Sequence, residues 1–143
     1  MGVAAAIVFI VPARSMDAEL IGKPPSEIIE RYGAPDRLFI EQTASDTDHF
    51  IVLLYADYRY FYFYENELWQ IRVDERSEHT LSGVSIGDLV DDVAFEIGPP
   101  DWNRDSGESA SFRLPDHDHP VELRVYVDGD GLIHDIYLYR MDF

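Results

Sequence analysis

The apolar residues of the first half of the chain include one short helical stripe. Ile28, Ile29 and Tyr32 fall on one side of a helix. Gly33 follows them directly, and glycine is the residue that a left-handed helix end accommodates most easily. Pro35 then prevents the helix from continuing. The pattern predicts a short helix that ends at Gly33.

A second helical pattern lies in the other half of the chain. Ser85 and Asp88 have the spacing of a capping box, and Gly98 has the position of a helix stop. We therefore expect a second helix before Gly98. Its stripe consists of five apolar residues at helical spacing, namely Ile86, Leu89, Val90, Val93 and Ile97.

Between and after these helices the pattern changes to that of β-strands. Glu65–Glu67 and Asp128–Gly131 are short polar segments that predict hairpin turns. Residues 43–48, 103–109 and 116–120 are predicted loops. Six segments have strand character, namely Phe50–Ala56, Tyr58–Tyr64, Leu68–Val73, Ala110–Leu114, Val121–Val127 and Leu132–Arg140.

One spacing of residues occurs twice. Gly22–Asp36 and Gly87–Asp101 share two glycines, a proline and an acid at the same distances, with an offset of 65 residues. Repetition of this kind predicts two copies of one small unit. We expect an α+β fold of two tandem helix-plus-antiparallel-meander repeats that share one sheet, with the helices on one face. Residues 19–80 form repeat unit 1 and residues 81–143 form repeat unit 2, together one compact domain.

Alternation along the strands predicts which side chains are buried. In Tyr58–Tyr64 the tyrosines alternate with Arg59, Phe61 and Phe63, so we expect the phenylalanines under the helix and the tyrosines on the open face. In the next strand, strict alternation groups Trp69 with the core residues Ile71 and Val73, and Leu68 with Gln70 and Arg72. Val121–Val127 alternates in the same way, with the valines and Leu123 as core.

The open face of the predicted sheet is rich in tyrosine and arginine. These residue types are common in binding surfaces because they provide a large contact area and a polar group with little flexibility. Tyrosine is also an ordinary strand residue. The hypothesis of a binding face rests on eight residues and one rim candidate: Tyr58, Tyr60, Tyr62, Tyr64, Arg72, Tyr126, Tyr137 and Tyr139, with Trp102 at the rim.

The composition restricts the classes of partner. Asp and Glu total 28 against 11 Lys and Arg, which gives a formal net charge of −17. Such a surface repels nucleic acid and anionic membranes and suits a basic protein partner. The chain has no cysteine, which excludes disulfides, thiolate metal sites, thiol catalysis and an acylated lipoprotein anchor.

The N-terminal residues 1–18 are interpreted as a signal peptide or a disordered N-terminus. The apolar run Val3–Val11 is too short to span a bilayer but has the length of a signal-peptide core. Ala13–Ser15 offers small residues for a cleavage site. We expect a periplasmic or secreted protein. The alternative is a buried N-terminal element of a cytoplasmic protein.

Two short segments have residue types that bind metals. Asp116–His119 combines nitrogen and oxygen ligands, and Asp128–Gly131 resembles the start of a calcium loop. We interpret the first as a polar loop and the second as a hairpin turn, because neither has enough further ligands nearby in the sequence. The sequence contains no nucleophile elbow and no phosphate-binding glycine loop. We therefore expect no enzyme activity, no cofactor and no metal.

The repeated segments Gly22–Pro35 and Gly83–Pro100, with the hairpins that follow, resemble the β-lactamase-inhibitor-protein-like fold. The half-unit is also similar to the SmpA/OmlA outer-membrane assembly lipoproteins. The resemblance covers residues 19–143. It implies an exported, non-catalytic protein whose sheet grips a protein partner. The missing cysteine departs from both groups, and no inhibitory contact residue matches, so a β-lactamase target is not implied.

These observations support a leading hypothesis and two alternatives. The leading one is an exported, non-enzymatic protein-binding module, of inhibitor or immunity type, that acts through its tyrosine-rich open face. The alternatives are a small-ligand binding or sensing protein of the cell envelope, and an envelope assembly factor of SmpA/OmlA type. The partner is expected to be a protein, and a homodimer through the open sheet is a further alternative.

Overall fold

The computed structural model describes residues 17–42, 49–105, 107–115 and 117–142. These residues form eight strands in one antiparallel sheet, with order β1-β2-β3-β4-β8-β7-β6-β5, and two eight-residue helices. The predicted signal segment up to residue 16, the predicted loop 43–48 and Asp116 lie outside the described residues. In chain order the elements are α1 (Pro25–Tyr32), β1 (Arg37–Gln42), β2 (His49–Leu54), β3 (Arg59–Tyr64), β4 (Glu67–Val73), α2 (Val90–Ile97), β5 (Asp101–Asn103), β6 (Ser109–Leu114), β7 (Val121–Val127) and β8 (Ile133–Arg140).

The predicted fold class is wrong. The molecule is organised by one continuous eight-stranded antiparallel sheet, and the two short helices are minor additions to it, so it is not an arrangement of two helix-plus-meander repeats. The physical reason is the pairing of β4 with β8, from Gln70↔Tyr139 to Val73↔Ile136. This ladder joins all strands into one sheet, and the buried side chains on its helix side form a single cluster.

The repeated glycines control local backbone geometry. The Gly22 N–H donates to the Leu68 carbonyl at 2.7 Å, and the Gly87 N–H donates to the Ile133 carbonyl at the same distance. Gly22 also has a φ of +92°, and a Cβ there would lie 2.6 Å from Nε2 of His119. The repeated spacing therefore encodes two equivalent turns that dock onto the sheet.

Both helices end where the sequence predicts, but α2 begins later than the expected capping box. Gly33 and Gly98 follow α1 and α2, each with a positive φ and an N–H that donates to the carbonyl four residues earlier. Neither helix has a side-chain N-cap. The expected capping box is half present, since the Ser85 N–H donates to Asp88 Oδ2, but α2 begins only at Val90.

Both predicted hairpin turns are confirmed. Glu65 and Asn66 join β3 to β4 with φ values of +47° and +68°, which is the conformation of a two-residue type I′ turn. Between β7 and β8, Oδ1 of Asp128 accepts hydrogen bonds from the N–H groups of Asp130 and Leu132. This carboxylate thus holds the turn together, as an Asx-type interaction.

The helix side of the sheet carries the main core. Ile28 of α1 and Val90 and Val93 of α2 belong to the same cluster as the buried strand residues. The predicted alternation in β7 is confirmed, with the valines and Leu123 buried. The strand core consists of Leu53, Phe61, Phe63, Leu68, Ile71, Val73, Ala110, Phe112, Leu114, Val121, Leu123, Val125, Val127, Ile133, Ile136 and Leu138.

A bulge in β4 corrects the face prediction for two residues. Tyr62 pairs with Gln70 and Phe63 pairs with Leu68, so Trp69 is the extra residue of a β-bulge. Leu68 is fully buried in the core. Trp69 instead contacts Tyr62 on the opposite side of the sheet, with ring centroids 6.2 Å apart. Strict alternation fails here because a bulge places two successive side chains on the same side.

Two residues of the predicted N-terminal segment are part of the fold. Ala18 is buried in the core cluster, and Oδ2 of Asp17 accepts a hydrogen bond from the Ser82 N–H at 2.6 Å. Burial raises the pKa of Asp17. Within the described ranges, no helix combines the length and the apolar character needed to cross a bilayer.

Candidate functional site

A row of tyrosines and arginines crosses the sheet on the side opposite the helices. Tyr60 of β3 pairs with Arg72 of β4, which pairs with Tyr137 of β8, which pairs with Arg124 of β7. Directly opposite residues of antiparallel strands share a face, so these four side chains lie side by side. We call the surface built on this row, with Tyr62, Tyr64, Tyr126 and Tyr139, the tyrosine face.

Arg72 lies at the centre of the tyrosine face. Its guanidinium carbon is 5.3 Å from the ring centroids of both Tyr60 and Tyr137. Its Nε and Nη2 atoms reach Oδ1 of Asp135 at 3.0 and 2.9 Å. Although desolvation opposes the charge, the partners Tyr137 and Asp135 give a net upward shift of the pKa of Arg72. The result is a half-buried cation that is fixed by two rings and one carboxylate.

At one end of the row, a polar cluster holds Tyr60 in place. The Tyr60 hydroxyl donates to Oδ2 of Asp74 at 2.9 Å and accepts from Nη2 of Arg76 at 2.8 Å. The Arg76 side-chain hydrogen bonds lower the pKa of Asp74 to about 2. The Arg76 guanidinium also lies 4.2 Å from the Tyr58 ring centroid, which joins the turn residue Tyr58 to the tyrosine face.

Beside this row the tyrosine face has an aromatic floor. Tyr62 is only 7% exposed, and burial raises the pKa of its hydroxyl to about 12. Phe50 contacts both Tyr64 and Trp69, at centroid distances of 5.9 and 5.0 Å. Val52 is fully buried on this side. Tyr62 therefore supports its neighbours, and its own area for contact with a partner is small.

At the other end of the row, Tyr126 packs edge-on against Tyr137 at 5.7 Å. Arg124 lies over the Tyr139 ring at 5.2 Å and donates from Nε to Oγ of Ser111 at 3.1 Å. Burial, followed by the nearby Glu122, raises the pKa of Tyr139 to about 12. Tyr126 and Tyr139 are half-buried, and these contacts hold their side chains in defined positions.

The structure brings together most of the sequence-predicted site residues, but not Trp102. Trp102 pairs with Ala110, a core residue, so its side chain lies on the helix side of the sheet and not at the rim of the tyrosine face. Arg124 and Asp135 belong to the site although they were not among the predicted binding residues. The alternation in β7 and β8 that selects Tyr126 and Tyr137 also selects these two.

A separate cleft of about 920 Å³ lies next to α1. Among the side chains that line it, Lys23 and Arg31 are basic, Glu27 and Glu30 are acidic, and two histidines come from the loop between β6 and β7. This loop is the described part of the predicted metal candidate Asp116–His119. In the described part of the chain, no three His, Asp or Glu side chains are grouped so that they could hold a metal ion.

Comparison with known proteins gives a likeness of fold only. No protein-family model matches the chain, and no curated protein matches it either. A cysteine-rich secretory protein from Staphylococcus aureus has a similar structure, with a TM-score of 0.56 and 14% identity over 86% of this chain and 45% of that chain. An extracellular protein containing a SCP domain from Bacillus anthracis matches with a TM-score of 0.57 and 14% identity.

The second match covers 99% of this chain and 50% of the other, so the chain spans about half the length of both solved structures. The descriptions of both proteins place them outside the cell. They agree in this respect with the export predicted from the N-terminal apolar segment.

Proposed function

We propose that this protein is an exported, non-enzymatic module that binds a protein partner through its tyrosine face. The observation that carries the proposal is the row Tyr60–Arg72–Tyr137–Arg124, in which large side chains of binding-prone types are already fixed by one another. A surface that is ordered before binding loses less conformational entropy when a partner docks. The same feature supports a protein partner over a small ligand, because the row is broad and crosses four strands.

The charge of the molecule supports a basic partner. The chain carries a formal net charge of −17, and Arg72 and the neighbouring Arg76 are paired with Asp135 and Asp74. Long-range attraction would therefore steer a cationic protein towards the molecule, and the aromatic residues would provide the contact area. The resemblance to β-lactamase-inhibitor-like proteins, whose sheets grip protein partners, points to a role of inhibitor or immunity type. The secreted neighbours support a periplasmic or secreted location.

The test is a binding comparison between two variants. Tyr60→Ala/Tyr137→Ala removes both rings beside Arg72, whereas Phe95→Ala changes a 93% exposed side chain on α2, on the other side of the sheet. Partners are captured from envelope and secreted fractions with the wild-type protein, identified, and titrated by calorimetry. We expect the double variant to bind at least about tenfold more weakly, and the control to bind like the wild type.

Circular dichroism and urea unfolding establish that both variants are folded. If the folded double variant keeps the affinity of the wild type for every partner, the tyrosine face is not the binding site.

A second candidate function, binding of a small ligand, is favoured by the cleft beside α1. Its size is within the range of ligand pockets, and it combines basic, acidic and imidazole side chains. Saturable binding of a small molecule that is lost in Lys23→Ala/Arg31→Ala, while the Tyr60→Ala/Tyr137→Ala variant keeps it, would favour this function.

A further inference from the structure

The two edges of the sheet differ in length and in chemistry. One edge is β5, which has three residues and offers little backbone for pairing. The other is β1, which has six residues. Within the described residues, β1 is hydrogen-bonded to β2 on one side and to no strand on the other. An edge strand of this length is a template for another strand unless it is protected.

The β1 edge exposes apolar side chains. Leu38 and Ile40 of β1 are 64% and 63% exposed. Ile51 of β2, which pairs with Ile40, is 41% exposed. These three residues lie on the helix side of the sheet, beyond the reach of the main core. Proline and lysine, which commonly protect edge strands, do not occur in Arg37–Gln42. The patch has the character of an interface.

We propose that β1 pairs antiparallel with β1 of a second copy of this chain, around a two-fold axis at Phe39. The resulting dimer extends the eight-stranded sheet into a sheet of two protomers. This interface is distinct from the tyrosine face and does not depend on the function proposed for that face.

Geometry limits the registers that such a pair can adopt. A two-fold axis perpendicular to the sheet keeps each side chain on its own face, so the axis passes between a residue and its own copy. When the axis lies at Phe39, Leu38 of one copy is opposite Ile40 of the other. Arg37 of one copy is then opposite Glu41 of the other, and the symmetry makes each pair occur twice.

The registers centred on the neighbouring residues lose this match. An axis at Leu38 places Arg37 opposite Phe39, and an axis at Ile40 places Glu41 opposite Phe39. Only the register centred on Phe39 thus combines opposite charges on one face with branched aliphatic pairs on the other, and both kinds of cross-strand pair are stabilising. Because the six residues of β1 match themselves in charge and in side-chain type, we expect the partner at this edge to be a second copy of the chain.

Charge exchange tests both the interface and its register. Arg37→Glu and Glu41→Arg each create two like-charge pairs across the axis, whereas Arg37→Glu/Glu41→Arg restores two opposite-charge pairs. Sedimentation velocity of the full chain, at constant ionic strength and up to about 1 mM protein, measures the dimer dissociation constant. We expect each single variant to dimerise about tenfold more weakly or worse, and the double variant to return to within about threefold of the wild type.

Two further variants complete the design. Ile40→Lys places a charge in the apolar pair and should abolish the dimer, whereas Phe95→Lys makes the same change of charge at an exposed position on α2 and should leave it unchanged. Circular dichroism shows that each variant is folded.

Three results would overturn the proposal. The first is a wild-type protein that remains monomeric over the whole concentration range. The second is a double variant that dimerises no better than the single variants. The third is a dimer that survives Ile40→Lys or is lost in Phe95→Lys.

Discussion

Arg72 is held on three sides by residues of its own chain. The rings of Tyr60 and Tyr137 flank its guanidinium, and Asp135 accepts its hydrogen bonds. A free arginine side chain loses considerable rotamer entropy when a partner immobilises it. At Arg72 this entropy is already lost on folding, so a partner meets a cation whose position is set in advance.

Asp74 shows a different use of charge at the scale of a single residue. Its carboxylate accepts hydrogen bonds from the Tyr60 hydroxyl and from the backbone and side chain of Arg76. Together these donors stabilise the ionised form and outweigh burial, which acts in the opposite direction. The net result is that the pKa of Asp74 falls from its ordinary 3.8 to about 2. The cluster thereby ties the end of β4 to the tyrosine face.

This shift makes part of the stability depend on pH. Because the folded-state pKa is depressed, the stabilisation is complete above pH 3.8 and is lost as the pH falls towards about 2. We expect Asp74→Asn to lower the free energy of unfolding by about 2 kcal/mol at neutral pH and to flatten its decline between pH 4 and 2. Urea unfolding across this range measures both effects. Glu30→Gln, at an exposed position on α1, is the control, and an Asp74→Asn curve with the slope of the wild type would contradict the prediction.

At the scale of elements, the bulge in β4 separates what the sequence predicts from what it does not. The alternation in β7 and the tight turn at Glu65–Asn66 are visible as residue patterns, and the structure confirms both. The bulge leaves no such mark, because Leu68 and Trp69 are both apolar and either can face a core. Their placement is decided by the pairing with β3, which is a contact between strands and not a property of one strand.

The missed strands have the same kind of cause. Arg37–Gln42 and Asp101–Asn103 lack a clear alternation of buried and exposed residues, because edge strands bury little on either face. Trp102 was placed at the rim of the tyrosine face because its strand was not recognised. The tyrosine face was predictable residue by residue, whereas the row that unites Arg72 with Arg124 depends on the order of strands.

The bulge in β4 predicts that Leu68, and not Trp69, contributes to the stability of the main core. We expect Leu68→Ala to lower the free energy of unfolding by about 3 kcal/mol, because the side chain is fully buried in the main cluster. Leu132→Ala, at a 37% exposed position in the β7–β8 hairpin, should cost well under half as much. Urea unfolding monitored by circular dichroism provides both values. Equal losses at the two positions would mean that Leu68 does not face the core.

At the scale of the whole molecule, the sheet makes the two halves of the chain one cooperative unit. β4 and β8 pair along four residues, and the core cluster includes side chains from both helices and from six of the eight strands, β4 and β8 among them. A domain with one continuous core is expected to unfold in a single step.

The two tryptophans allow this to be measured. Trp69 is in β4 and Trp102 is in β5, at the far edge of the sheet, so Trp102→Phe and Trp69→Phe leave one reporter in each half. In each variant we expect the urea midpoint from tryptophan fluorescence to equal the midpoint from far-ultraviolet circular dichroism. Separate midpoints would show that the halves unfold independently.

The position of β8 has a consequence for the synthesis of the protein. β8 leaves the ribosome after the other seven strands of the sheet, yet it lies in the middle of the sheet, between β4 and β7. Until it emerges, β4 and β7 both present unpaired edges, which are exposed to aggregation or to capture by chaperones. The sheet therefore closes only after β8 has been made.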